Sequence, residues 1–223
     1  MRIVEPEIAG LTELAVERLL EGPGSAPISL LGSGHLQVEV DPAMLVRIDS
    51  ASLVGDGLRV RRLPRRAFGG AEEGDGPLAM VDGRGKVLFA RAEGQFHIVR
   101  LRRDRCYFRE DALFAADPSL QWEVGVMPGS RAEQNEGATF VRIVGDGVIA
   151  IHCRGDLVAV KVTPERAQRV LPGVLLGWIG DVVALTEPGL PALRCEGQGA
   201  ILLDLAVGSS DSRDPKGAKE ART

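Results

Sequence analysis

Aromatic side chains make up only 4% of this 223-residue chain. Its interior must therefore be filled mainly by aliphatic groups rather than by large rings. Cysteine is also scarce. Cys106, Cys153 and Cys195 are odd in number, far apart and without a CxxC spacing, which excludes a disulfide framework and offers no zinc motif. Long apolar runs are missing: the longest, Gly173 to Gly180, is far short of the roughly 20 residues a spanning helix needs. The opening Met1-Arg2-Ile3-Val4-Glu5-Pro6-Glu7 has no secretory apolar stretch, so a reduced, cytoplasmic setting is expected. Charge of one sign is missing too. A net charge of −4 gives the whole chain no pull toward nucleic acid or anionic lipid.

Glycine, by contrast, is abundant, at 28 residues, and it punctuates short stretches of alternating apolar residues. Residues 7–21 form the exception. Ile8, Leu11, Leu14, Ala15, Leu19 and Leu20 fall on one face at a 3.6-residue period before Gly22-Pro23-Gly24, which predicts a short amphipathic helix with linker over 1–24. At the other end, 208–223 is polar and is expected to be a disordered tail. Between them, 25–207 reads as an all-β domain, with halves at 25–128 and 138–207. Loops are marked by Gly and Pro at 64–77, 128–137 and 187–191.

Four segments align on one glycine: "LGSGHLQVEV" on Gly34, "RAEGQFHIVR" on Gly94, "VGDGVIAIHC" on Gly147 and "EGQGAILLDL" on Gly199. Two and four residues later all four are apolar: Leu36 and Val38, Phe96 and Ile98, Ile149 and Ile151, Ile201 and Leu203. A period of two presents one face of a strand. The segments are therefore expected to stack their even positions into a common interior, with a glycine bend or bulge at the strand entry. Leu53-Val54, Leu113-Phe114 and Leu175-Leu176 recur before turns containing Asp. The third copy is longer, and Thr163-Pro164-Glu165 within it reads as a turn leading into a strand from about Gln168.

The words "EGQFHIVRL", "YFREDALFAADPSLQW", "VGDGVIAIHC", "VLPGVLLGWIGDV" and "EGQGAILLD" resemble the family named for altered inheritance of mitochondria, member twenty-four, also called mitochondrial biogenesis proteins. The resemblance implies a β-sandwich or double-stranded β-helix like that of the tryptophan RNA-binding attenuator protein, assembled into symmetric oligomers. It carries no established catalytic residues to transfer. The family's yeast member is linked to inner-membrane organisation, but this chain shows no mitochondrial targeting segment, and a bacterial cytoplasm fits it better.

Catalytic candidates are correspondingly thin. His35, His97 and His152 sit at odd offsets and are expected to face solvent. No HxH, HxD or HxE occurs, so neither a metal nor another cofactor is expected. No GxSxG or paired-carboxylate arrangement is present. The Gly-x-Gly elements open strands rather than helices, unlike a phosphate loop. Cys153 and Cys195 read as small core residues. Cys106, within "RRDRCYFRE", is the one thiol that neighbouring arginines could activate.

Two basic clusters complete the inventory: Arg59, Arg61, Arg62, Arg65 and Arg66, then Arg100, Arg102, Arg103 and Arg105, with Arg109 beyond. They are candidates for a partner or anion surface. The competing reading pairs them with nearby acids (Glu72, Glu73, Asp75, Asp104, Glu110 and Asp111) on a solvated face. The leading expectation is a non-enzymatic β-scaffold that self-associates and binds unidentified proteins. The alternative is an RNA- or small-ligand-binding protein using the arginines. A metal-dependent, cupin-like enzyme is the least favoured.

Overall fold

The structure, a computed structural model, describes residues 26–205 except 68–71, 92, 127–138, 187–189 and 191, together with Thr12. The expected N-terminal helix, the polar tail and the loop at 128–137 lie outside the described residues, as does most of the loop at 187–191. Among the described residues the protein is almost entirely β, as its alternating pattern and abundant turn residues require.

Strands β1 (Ile28–Leu30), β2 (Leu36–Val40), β3 (Ala43–Val46), β4 (Leu53–Val54) and β5 (Leu58–Arg66) lead into the longer β6 (Glu72–Gly83). There follow β7 (Gly85–Phe89), β8 (Gln95–Arg109), β9 (Leu113–Ala116), β10 (Gln121–Val126) and β11 (Thr139–Cys153). The chain closes with β12 (Leu157–Val162), β13 (Gln168–Val170), β14 (Leu175–Thr186) and β15 (Leu193–Asp204). A small sheet has the order β1-β2-β7-β4. A larger one runs β12-β15-β14-β8-β11-β9-β3-β6-β5, with β10 also on β11 and β13 also on β15. All the named ladders are antiparallel. Strands from both halves of the chain pair directly, β8 and β9 with β11 and β8 with β14.

The expected loop at 64–77 is mostly strand: β5 and β6 form a hairpin that carries Pro64 opposite Asp75. Proline survives there because β5 ends the sheet order and its register shifts on both sides of Pro64, so no central ladder bond is lost. The turn at Thr163–Arg166 and the strand from Gln168 occur as the spacing predicts.

Leu36, Phe96, Ile149 and Ile201 are all buried, yet they do not share one interior. Leu36 and Phe96 belong to a core between the small sheet and the large one, with Val38, Phe89, Val81 and Ala150. Ile149 lies in a second core with Leu45, Leu113, Leu120 and Val141. Ile201 lies in a third, around Trp178, Phe140 and Val182. A strand that is dry on one side only does not suit β11. Its Ile149, Ala150 and Ile151 are buried in succession because separate layers cover its two faces. Ile98, expected inside, is 37% exposed.

A bulge, one of the two expected forms, does accompany the paired glycines, but within a strand rather than at its entry. Gly145 and Gly147 lie inside β11, where its register against β8 shifts. Leu101 pairs with Gly147 and Asp104 with Gly145, so Arg102 and Arg103 oppose Asp146 alone, and Arg103 takes φ 57°. This is a bulge on β8, which bends both long strands. In β15, Gly197 has φ 116°, and a Cβ there would collide with the carbonyl oxygen of Asp181 on β14. Gly32, its counterpart in the first segment, has open space around it. Gly197→Ala should therefore destabilise the fold by at least ~2 kcal/mol. Gly32→Ala should stay within about 0.5 kcal/mol, as read from urea denaturation midpoints.

Candidate functional site

The arginine clusters emerge on two separated strands. β5 carries Arg59, Arg61, Arg62, Arg65 and Arg66, and β8 carries Arg100, Arg102, Arg103 and Arg105. In the sheet order β11, β9, β3 and β6 stand between the two strands.

Much of this charge is held by carboxylates from distant parts of the chain. Arg62 grips Asp49 through both guanidinium nitrogens, and Arg65 pairs with Glu110. Arg105 pairs with Asp181, and Arg103 lies 3.6 Å from Asp146 across the bulge. Arg109 binds Asp111 at 2.9 Å and the Gly173 carbonyl at 3.1 Å. Of the neighbouring acids expected as partners, Glu110 and Asp111 are used. Asp104 caps the backbone N–H of Arg102 at 2.7 Å. Asp49, Asp146 and Asp181 were not legible as partners, because pairing depends on sheet register. Surface pairs of this kind are screened by water and add little stability. Arg59, Arg61, Arg100 and Arg102 hold no ion pair among the described residues and are exposed.

A structural arginine outside both clusters escaped the sequence reading. Arg47 donates to the carbonyl oxygens of Leu113 (2.7 Å) and Glu110. Its guanidinium also lies 5.8 Å from the Phe114 ring centroid. Together with Arg65 it fixes the 3-10 turn Glu110–Ala112, which precedes Leu113. Similar turns at Ile48–Ser50 and Pro172–Val174 precede Leu53 and Leu175.

Part of β5 faces a cleft. The chain of pairings β10-β11-β9-β3-β6-β5 returns to β10 through the bridge between Ala67 and Val124. Among the described residues the ring has no further pairing beside that bridge. There the Pro118–Trp122 segment stands off from β5 and leaves a cleft of about 350 Å³. Arg61 and Arg66 line it with Leu63, Met80, Leu120 and Trp122. Trp122 can lie close to β6 because Gly76 has no side chain; a Cβ there would meet its ring at 2.7 Å.

The histidines and cysteines form no metal cluster among the described residues. His35 faces solvent as expected, but His97 and His152 are half-buried. His152 is packed against Phe96 and Phe114, with centroids 4.8 and 5.6 Å away, and its buried Nε2 has no hydrogen-bond partner among the described residues. Desolvation lowers its pKa; attraction from Asp204 opposes this, while Arg154 adds to it. His97 Nε2 lies 3.1 Å from Cys153 Sγ, a contact invisible in sequence because it joins residues across the β8–β11 ladder. Asp204, fully buried, accepts the N–H groups of Arg154 and Gly155 at 2.8 Å each. It thereby closes the turn after β11.

Cys106 is not the activated thiol that its arginine neighbours suggest. Those arginines project outward, while Cys106 points into the core at 0% exposure. Burial, then the charge of Asp104, pushes its pKa up to about 12. Burial also raises Cys153 and Cys195 to about 11. The thiolate is the reactive form, so a disulfide reagent such as Ellman's should label no native thiol within minutes at neutral pH. All three should react after unfolding. Fast native labelling of Cys106 would contradict this burial.

His152 predicts a pH effect of definite sign. Its native pKa lies below the ordinary value near ~6.5, so below that pH the unfolded chain binds a proton that the native chain resists. Stability conferred by the neutral ring is complete above about pH 6.5 and is lost as pH falls toward the native pKa. Urea midpoints of the native chain should drop across that window. In His152→Phe the part of the drop due to this ring should disappear.

Residues 28–204 of the chain match the family model described as Mitochondrial biogenesis AIM24. No curated protein matches it. A crystal structure of a Streptococcus pyogenes protein is similar at TM-score 0.60 and 12% identity, over 79% of this chain and 91% of that one. At that identity the likeness is one of fold. The family match spans most of the chain and all fifteen strands of the described residues, so the protein belongs to the mitochondrial biogenesis AIM24 family.

Proposed function

We propose that this chain is a non-catalytic β-scaffold that works as a homo-oligomer in a bacterial cytoplasm, its internally repeated architecture being of the attenuator-protein-like type. The observation that carries the reading is the contrast between the two ends of the large sheet.

β5, at one end, is heavily guarded. Five arginines, a proline and two register irregularities blunt it against further pairing. β12, at the other end, has the sequence Leu157-Val158-Ala159-Val160-Lys161-Val162 and one charge. Its outer side has no partner strand among the described residues.

The register shows which backbone groups are free there. Leu157 pairs with Asp204, and Leu205 N–H donates to Asp156 O at 3.2 Å. Bonding alternates along an antiparallel strand, so Asp156, Val158 and Val160 bond inward to β15. Leu157, Ala159 and Lys161 aim their N–H and C=O groups outward. Consistent with this, the Gln168 side-chain amide already donates to Lys161 O at 3.3 Å. Two copies of β12 can pair antiparallel with Ala159 on the two-fold axis. Val158 then meets the second copy's Val160, and Lys161 meets Leu157. No lysine faces its own copy; the two Ala159 residues form the hydrogen-bonded pair on the axis, and the Val158–Val160 pairs beside it are the non-hydrogen-bonded ones whose side chains approach most closely.

Light scattering coupled to size exclusion tests this. The native chain at micromolar concentration should run at twice the monomer mass or a multiple of it. Ala159→Pro removes an outward donor without breaking the bond to β15, so it should yield monomer with unchanged circular dichroism. A clean native monomer, or an Ala159→Pro oligomer of unchanged mass, would overturn the β12 interface.

A further inference from the structure

We propose that the cleft beside β5 is a binding site for a small amphiphilic carboxylate, with Arg61 holding the head group and the Trp122 side holding the tail. Nothing in the scaffold reading requires such a site, and the two stand or fall separately.

The position favours a ligand. Sheet closure normally fills the space inside a ring of strands with side chains, and sites develop at the mouth where the ring is incomplete. Among the described residues the circuit is joined only at Ala67–Val124, and the cleft beside it holds about 350 Å³. That lies near the small end of the roughly 300–1,000 Å³ typical of small-molecule sites. It suits a short acyl or aryl group better than a polymer.

The chemistry narrows the class. Leu63, Met80 and Trp122 are only partly buried and pack against the core from the cleft side, and Leu120 forms its floor. These are apolar surfaces left partly wet, which an apolar tail would cover. Among the described residues the lining includes the Arg61 and Arg66 guanidinium groups and no carboxylate, and of these Arg61 favours a negative head group over a neutral or positive one.

Arg61 is the group available for that role. Its neighbours Arg62 and Arg65 are tied to Asp49 and Glu110. Arg61 has no ion pair among the described residues and sits opposite Met80 in the β5–β6 ladder. A planar guanidinium matches a carboxylate with two parallel hydrogen bonds. On β5, Arg62 and Arg65 thus brace the fold, while Arg61 and Arg66 line the cleft.

Calorimetric titration of the full-length native chain with octanoate tests the assignment, with 1-octanol and acetate as probes of the tail and the head alone. Octanoate should bind saturably at one site per chain, at least tenfold tighter than either fragment. Arg61→Gln should weaken octanoate at least tenfold and leave 1-octanol unchanged. Trp122→Ala should weaken octanoate while the urea midpoint reports whether the fold is intact; if it is not, Leu63→Asn serves as the second variant, with the same loss expected. The proposal is overturned if octanoate does not saturate in the millimolar range. It is equally overturned if acetate binds as tightly, which marks a simple anion site, or if Arg61→Gln has no effect.

Discussion

Everything in this fold is hung on the antiparallel pairing of β8 with β11. The two strands run together from Gln95 opposite Cys153 to Arg109 opposite Phe140, and each hydrophobic core uses at least one of them. Phe96 and Ala150 face the small sheet. Leu101, Phe108, Ile149 and Ile151 face the central core, and Phe140 reaches the C-terminal one. A flat pair of this length could not serve three layers. The bulge at Arg102–Arg103, set against Gly145 and Gly147, adds the bend that lets it do so.

The same constraint distributes the charges. Once β8 is bent, its arginines project from the outer side while Cys106 and Phe108 turn inward. Arg103 and Arg105 then meet Asp146 and Asp181 on the adjoining strands. On β5 the arginines brace the edge against the turns at Ile48–Ser50 and Glu110–Ala112. A positive surface read as a continuous run in sequence is thereby broken into pairs. What is left is local: Arg61 at the cleft, Arg59 near the start of β5, and Arg100 and Arg102 on β8.

The two proposed surfaces lie at opposite ends of the large sheet and use different physics. β12 presents unpaired backbone groups, whose need for partners is generic and whose specificity comes from register. The cleft presents an apolar wall beside one unneutralised guanidinium, whose specificity comes from combining the two. Neither requires a reactive side chain. This accords with buried thiols raised to about 11 or 12 and a half-buried imidazole pushed toward its neutral form.

Alternation was enough to identify strands and to mark Leu36, Phe96, Ile149 and Ile201 as interior, because burying one face of a strand is a local, period-two property. The turn at Thr163–Arg166 was legible from the spacing of the recurring segments, and the family from the words it shares. Which interior each residue enters was not, since that depends on which layer covers which face of β11. Glycines that look equivalent, such as Gly32 and Gly197, differ because only the second has another backbone pressed against it. The partners of the arginines, the contact of His97 with Cys153, and the cleft between β5 and the Pro118–Trp122 segment all join residues distant in the chain. Tertiary structure alone decided these, because register and layer packing set the distances between such groups, and distance decides whether charges pair, thiols ionise or a cavity stays open.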